Sequence, residues 1–252
     1  MSQDPVDRGT AHTGTHGTDT LWASLRAVLD RQPDPAPLEV LDVGGGTGGS
    51  AVRLAELGHR VTVVDPSPDS LAALERRADE TGVEVRGLQG DAADLERLVE
   101  PGSVHLVLLH TVLEHVEDPA AVLTAVSRCV RPRGAVSVLA TNALAAVLHR
   151  ALAGDPDGAL HVLRSPQGRS GAHDPVPRRF TGAELLRLVE GTGLRADAPA
   201  GVRVFTDLVP GRLFDTGEAS AQTLAELERE ASAHPTLSGI ATQIHVLGWR
   251  TA

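Results

Sequence analysis

The 252-residue chain contains no lysine and no tyrosine, and all 23 of its basic side chains are arginine. Without lysine there is no phosphate-binding P-loop lysine, no Schiff-base nucleophile and no lysine general base. Cys129 is the single cysteine, so neither a disulfide framework nor a multi-cysteine zinc site can form within the chain, in keeping with a reducing compartment. Three Phe and two Trp are too few for the platform on which single-stranded RNA binders stack bases. The net charge of -10 disfavours broad, non-specific attraction to nucleic acid. A long apolar run is missing as well: Gly134 to Ala153, the most apolar stretch, is interrupted by Asn142, His149 and Arg150, so no membrane span is expected. The first twenty residues carry neither a basic n-region nor an apolar h-region. They read as a flexible segment rather than a secretory signal, and a cytoplasmic protein is expected.

What is present is an ordinary globular composition, 22% charged and 41% apolar. At about 150 residues per domain the length suits one core with an insertion. Residues 21–252 are expected to form it, after the flexible segment 1–20. Apolar runs at Leu38 to Val43, Arg60 to Val64, Val83 to Leu88, Val104 to Leu109 and Ala135 to Ala140 read as buried strands. Helical patterns separate them. Ser67-Pro68 caps one before Leu71, Leu74 and Ala78, and Asp118-Pro119 repeats the device before Val122, Leu123 and Val126. Strand and helix alternating in this way imply right-handed crossovers, hence a doubly wound α/β fold with a mostly parallel sheet. Val202 to Phe205 and Ile240 to Trp249 add two strands around a helix at Ala219 to Ala233, giving seven, the last antiparallel. The rhythm breaks at about 142–180, where a helix near Leu144 to Leu152 precedes a Pro-, Gly- and Arg-rich stretch, the expected insertion or lid. Thr181 and Glu184 form a capping box that restarts the pattern, and Gly191 and Gly193 close that helix.

The chemistry gathers at Asp42-Val43-Gly44-Gly45-Gly46-Thr47-Gly48-Gly49, after the first strand and at the start of a helix. Bare backbone can approach a ligand there only because glycine has no side chain to block it. Gly44, Gly46 and Gly49 fit G-x-G-x-x-G, the dinucleotide fingerprint, with Asp65 placed at the next strand end for ribose hydroxyls. Asp42, Gly44, Gly46 and Gly48 equally fit D-x-G-x-G-x-G, which resembles the signature of class I S-adenosylmethionine-dependent methyltransferases. Gly90-Asp91-Ala92, where such enzymes contact adenine, and the turn Arg131-Pro132-Arg133-Gly134 before the fifth strand favour the second reading. So does charge: a sulfonium is a cation, and Asp42 beside the loop suits a cation better than a pyrophosphate.

The run His110-Thr111-Val112-Leu113-Glu114-His115-Val116-Glu117-Asp118-Pro119 narrows the likeness. It is similar to the tRNA 5-carboxymethoxyuridine methyltransferase family, as are Gly58-His59, Asn142, Gly201-Val202-Arg203-Val204-Phe205 with Asp207, and Ile244-His245-Val246. The resemblance runs from about Leu21 to Val246. It implies transfer of a methyl group from S-adenosylmethionine to the carboxylate of a wobble uridine in the tRNA anticodon loop. It also implies cofactor contacts at Arg26, Gly44, Gly45, Asp65, Asp91, Ala92 and His110, to which the glycine-loop reading adds Asp42 and Gly46.

A carboxylate acceptor is already ionised at pH 7, so no catalytic base is assigned and alignment of oxygen, methyl carbon and sulfur carries the rate. An anionic acceptor does need a cationic holder. Arg203, Arg178 and Arg179 are the candidates, since guanidinium grips carboxylate or phosphate as a fork, and Asn142 could add a hydrogen bond. Between Leu160 and Phe180 four arginines and two histidines face one aspartate, a basic insertion on an acidic chain. His149, His161 and His173 lack metal-ligand spacing, and no metal is expected. Ala140-Thr141 stands where the family commonly has aromatics, and the family's insertion lysines are missing. A small-molecule carboxyl or O-methyltransferase with a small anionic acceptor therefore stands beside the tRNA reading. A nicotinamide-dependent oxidoreductase or a cofactor-binding protein without turnover stands further off.

Overall fold

A computed structural model describes residues 15–32, 37–171, 174–209 and 218–251. Five parallel strands form one half of the sheet: β1 (Glu39–Val43), β2 (Arg60–Asp65), β3 (Val85–Gln89), β4 (Val104–His110) and β5 (Val130–Thr141). Their spatial order is β3-β2-β1-β4-β5, so the order reverses between β1 and β4. Ligands of doubly wound sheets bind at the carboxyl ends of such strands. Beyond β5 the last strand, β8 (Gln243–Trp249), runs antiparallel, as expected.

The strand expected sixth in the chain is displaced toward the N-terminus and broken in two. β6 (Arg195–Ala196) and β7 (Ala200–Val202) both pair antiparallel with β8, which makes eight strands among the described residues. Pro199, which has no backbone N–H, lies in the gap, and there the Asp197 carboxylate accepts instead from Trp249 Nε1 at 2.7 Å. The strand expected over Val202 to Phe205 stops at Val202, because Arg203 turns into the left-handed region and a buried glutamate on a distant helix takes the backbone N–H groups of Val204, Phe205 and Thr206. The turn expected at Arg131 to Gly134 is a bulge inside β5, with Arg133 at φ +66°.

Helices cover both faces of the sheet. α1 (Thr15–Asp30), α2 (Gly49–Glu56) and α3 (Pro68–Thr81) bury Leu25, Leu54 and Leu74 against Val40, Val61, Leu106 and Leu108. On the other face α4 (Leu95–Leu98), α5 (Pro119–Cys129) and α8 (Gly182–Glu190) bury Leu95, Leu123 and Leu185 against Leu41, Leu109, Val136 and Val138. Each fully buried leucine contributes roughly 2 kcal/mol. The sequence-level caps are in place: Ser67 accepts from Ser70 N, Asp118 from Ala120 N and Ala121 N, and Thr181 and Glu184 form their reciprocal box. α1 begins at Thr15, so the expected boundary at residue 20 falls within it, while residues 1–14 lie outside the described residues.

The insertion is more helical than its composition suggests. α6 (Ala143–Leu152) is followed by α7 (Pro156–Arg164), started by Asp155 accepting from Gly158 N and by Pro156 in the first turn. His173, within the following loop, lies outside the described residues. α9 (Glu218–Ser232) completes the helices and packs on α1. No described helix is long and apolar enough to cross a membrane, and no cluster of described residues could hold a metal ion.

Candidate active site

The glycine loop crosses the carboxyl ends of β1 and β4. Gly44, Gly46 and Gly48 have φ of +69°, +56° and +77°, the left-handed region that other residues enter only at a cost. A Cβ on Gly44 would strike Val112 at 2.5 Å and one on Gly48 would strike Leu74 at 2.1 Å, whereas one on Gly46 would meet nothing within 4 Å. The loop is thus wedged at both ends and open in the middle, a strip of bare backbone facing a cleft. Asp65 at the end of β2 holds it there. Its Oδ2 accepts from Gly46 N and its Oδ1 from Ser67 N, both at 2.9 Å. A carboxylate retains further acceptor capacity after two such bonds.

Asp42 is buried below Gly45, its Oδ2 lying 2.6 Å from where a Gly45 Cβ would stand. Burial, and then the charge of Asp65, push its carboxyl up to about 7, so this end of the cleft favours a cation. Asp91 caps a 3-10 turn at Ala92–Asp94: Oδ1 accepts from Ala93 N at 2.7 Å while the side chain remains exposed, and Ala92 is buried beneath. His110 ends β4, half-buried, with Nε2 2.8 Å from Ser137 Oγ. Thr111 follows at φ +56°, a strained conformation for a β-branched residue, with its hydroxyl donating to His110 O. Arg26 is exposed on α1. An open backbone strip flanked by carboxylates at two successive strand ends fits a ligand with an amino-acid tail, a ribose and a positive centre.

The residues expected to meet an acceptor lie past the ends of β5 and β7 and before the start of β8. Arg203 immediately follows β7 at φ +62° and pairs with Asp207, whose Oδ2 accepts from Thr242 Oγ1 at 2.6 Å. Its Nε is buried without a partner among the described residues. Glu228 of α9, buried, holds the turn that follows: Oε2 accepts from Val204 N, and Oε1 from Phe205 N, Thr206 N and Thr206 Oγ1, at 2.5–2.8 Å. A cavity of about 420 Å³ beside these residues is lined by Thr141, Asn142, His149, Arg150, Arg179 and Thr242 among others.

Two of the residues expected to meet the acceptor also tie the fold together, and both line that cavity. Asn142 is 1% exposed and committed to the fold, because Nδ2 donates to Gly239 O and Ala241 O while Oδ1 accepts from Leu144 N. Both amide hydrogens are taken, so it caps α6 and ties that helix to the approach to β8. Arg179 is equally committed: it forks onto Asp174 at 2.6 and 3.0 Å and donates to Gly168 O, which closes the insertion loop on itself. Asp174 is fully buried in this pair, and the guanidinium holds its carboxyl well below the usual range. Arg178 stays half-buried, with one 3.5 Å bond to Glu117 O.

The motif reading passed over two groups. Glu114 is buried, with Oε1 accepting from Thr141 N and Thr141 Oγ1 and with Oε2 unpartnered among the described residues. A charged residue inside the apolar run Val112 to Val116 was its signal. Glu228 gave no signal, since its partners are 22 to 24 residues away.

Comparison with known proteins agrees with this geometry. Residues 40–134 match the family model described as a methyltransferase domain. The tRNA 5-carboxymethoxyuridine methyltransferase of Escherichia coli K12 is 33% identical over 189 residues, 74% of this chain and 70% of that protein. A ubiquinone biosynthesis O-methyltransferase of Sodalis glossinidius is 34% identical over 68% of this chain and 66% of its own length. Among solved structures, an S-adenosylmethionine-dependent methyltransferase from Mesorhizobium loti superposes with a TM-score of 0.59 at 17% identity, covering 92% of this chain and 98% of that one. A geranyl diphosphate methyltransferase in complex with GPP and sinefungin gives 0.57 at 19% identity, with 91% and 79% covered.

Proposed function

The chain belongs to the class I S-adenosylmethionine-dependent methyltransferases, and from that premise we propose that it esterifies the carboxylate of 5-carboxymethoxyuridine at the wobble position of tRNA. The oxidoreductase reading of the same glycines is set aside with that membership. S-adenosylmethionine, when bound, supplies an electrophilic methyl group on a sulfonium. We assign its hold to the backbone of Gly44, Gly45 and Gly46, to Asp42 and Asp65, to the Asp91-Ala92 turn, to His110 and to Arg26 on α1.

The observation that carries the acceptor reading is Arg203. A non-glycine residue in a left-handed turn, with Glu228 pinning the residues that follow, Asp207 pairing its guanidinium and 39% of its side chain exposed, is a cation placed to meet an anion. Arg178 is a second candidate at the rim. The acceptor carboxylate is ionised at neutral pH, so the task of these residues is to place its oxygen in line with the methyl carbon. The E. coli relative, named for this tRNA reaction, supports the reading.

A second reading rests on the insertion. Leu144, Leu152, Leu160 and Leu163 of α6 and α7 are exposed, Leu152 at 68% and Leu163 at 62%, an apolar surface that suits a small acceptor with an apolar body. One experiment separates the two. The protein is incubated with methyl-labelled S-adenosylmethionine and tRNA carrying 5-carboxymethoxyuridine, and the nucleosides are analysed by mass spectrometry. The methyl ester is expected; label remaining on the cofactor while the cofactor binds moves the acceptor to a small carboxylate or hydroxyl compound.

A further inference from the structure

Three polar side chains cross three neighbouring strands on the sheet face that α1 covers. Ser137 Oγ on β5 lies 2.8 Å from Nε2 of His110 on β4 and 2.8 Å from Nε2 of His245 on β8. The two rings stand edge to face with centroids 6.5 Å apart. Ser137 and His245 are buried, and their strand neighbours on this face, Leu108, Ala135 and Leu139, are apolar. Polar groups in such a layer cost stability unless each is satisfied, and apolar residues would fill the same space without that cost. Burial also keeps both rings neutral, His110 down to about 3 and His245 to about 4.

Where the Ser137 hydroxyl proton is spent on one of the two Nε2 atoms, two arrangements remain. Either Ser137 donates to His110 and accepts from His245, which puts the proton of His110 on Nδ1, or the direction is reversed and His110 Nδ1 carries a lone pair. His110 is half-buried at the end of β4, and its Nδ1 makes no hydrogen bond among the described residues. Both ligand groups that reach this edge, the methionine tail and the proposed acceptor, bring a carboxylate, which repels a lone pair and accepts from a donor. A neutral donor further avoids setting an imidazolium beside a sulfonium.

We propose that Ser137 and His245 are positioning residues that fix His110 as its Nδ1–H tautomer, so that His110 donates a hydrogen bond to a carboxylate bound at the carboxyl edge of the sheet. The proposal rests on the cofactor site being where it is placed above, and only its second arm, the acceptor carboxylate, rests on the proposed acceptor.

The test is nitrogen-15 NMR of histidine-labelled protein, which distinguishes the two tautomers directly. His110 is expected to be protonated at Nδ1 in the free protein, and that resonance is expected to move when a carboxylate arrives. Movement on adding S-adenosylhomocysteine assigns the partner to the methionine tail; movement only on adding 5-carboxymethoxyuridine nucleoside assigns it to the acceptor. Protonation of His110 at Nε2, or an Nδ1 resonance indifferent to both ligands, overturns the proposal. His245→Gln, which keeps a donor for Ser137, is expected to retain the tautomer. His245→Leu and Ser137→Ala are expected to mix the two forms and to weaken the ligand that moved the resonance by about tenfold. The wild-type spectrum decides the matter even where a variant does not fold, and a failure of tRNA labelling leaves the S-adenosylhomocysteine arm intact.

Discussion

The two edges of the cleft are built in different ways. On the cofactor side the parts come from short stretches: Asp42 to Gly49 is one loop, Asp65 holds Gly46 and Ser67, and Asp91 caps its own turn. On the acceptor side nearly every contact joins distant segments. Asn142 binds Ala241, Glu228 holds Val204 to Thr206, and Arg203 O accepts from Thr242 N. A loop that meets its ligand through backbone depends on glycines at fixed spacing, whereas a pocket walled by three late segments can change its lining without disturbing the sheet. On the proposed assignment, reaction type belongs to the first edge and acceptor identity to the second, and relatives named for a tRNA reaction and for ubiquinone biosynthesis both match the chain.

Substitutions on the two edges should therefore fail differently. The largest effect is expected from Glu228→Ala, which strips the partner from three backbone N–H groups. Unfolding in urea should show a loss of about 3 kcal/mol or more, with acceptor methylation lost even where protein remains folded. Retention of both would mean that the turn at Arg203 holds itself. Next come Gly44→Ala and Asp65→Ala, each expected to weaken S-adenosylmethionine by about 1.5–3 kcal/mol in calorimetry. Unchanged affinity would remove that residue from the cofactor site. Arg203→Ala should raise the acceptor KM about tenfold and spare cofactor affinity; equal loss of both would make Arg203 structural and blur the division between the edges.

The smallest expected effect is a pH dependence at Asp42. Its carboxyl is raised from 3.8 to about 7, so the folded chain resists ionisation that the unfolded chain undergoes freely, and the stability due to neutral Asp42 declines as pH climbs through that window. A bound cation favours the ionised form. Cofactor affinity should rise, by about tenfold at most, between pH 6 and 8, and Asp42→Asn should flatten the profile. His110 and His245 act in the opposite sense: both are lowered, so their contribution is complete above pH 6.5 and fades as pH falls toward 4 and 3.

The sequence made the cofactor edge legible for the same reason that edge is robust. Ser67-Pro68, Asp118-Pro119 and Thr181 with Glu184 are local devices whose partners lie within three residues, and the structure contains all of them. The structural bonds of Asn142 and Arg179 were not legible in the sequence, because their partners, Gly239, Ala241 and Asp174, are assigned only in three dimensions. α7 falls in the stretch expected to be irregular for its proline, glycine and arginine content, yet Asp155 as cap and Pro156 in the first turn start a helix there.

The Glu228 clasp bears on the order in which the protein matures. During synthesis, residues through the end of β4 emerge first, and they contain every backbone and carboxylate group of the glycine-loop side. The turn at Arg203 must wait until α9 has left the ribosome, and the wall beside it until β8 has paired with β5. A nascent chain of this protein therefore passes through a stage with its methyl-donor loop assembled and its acceptor wall still unwritten.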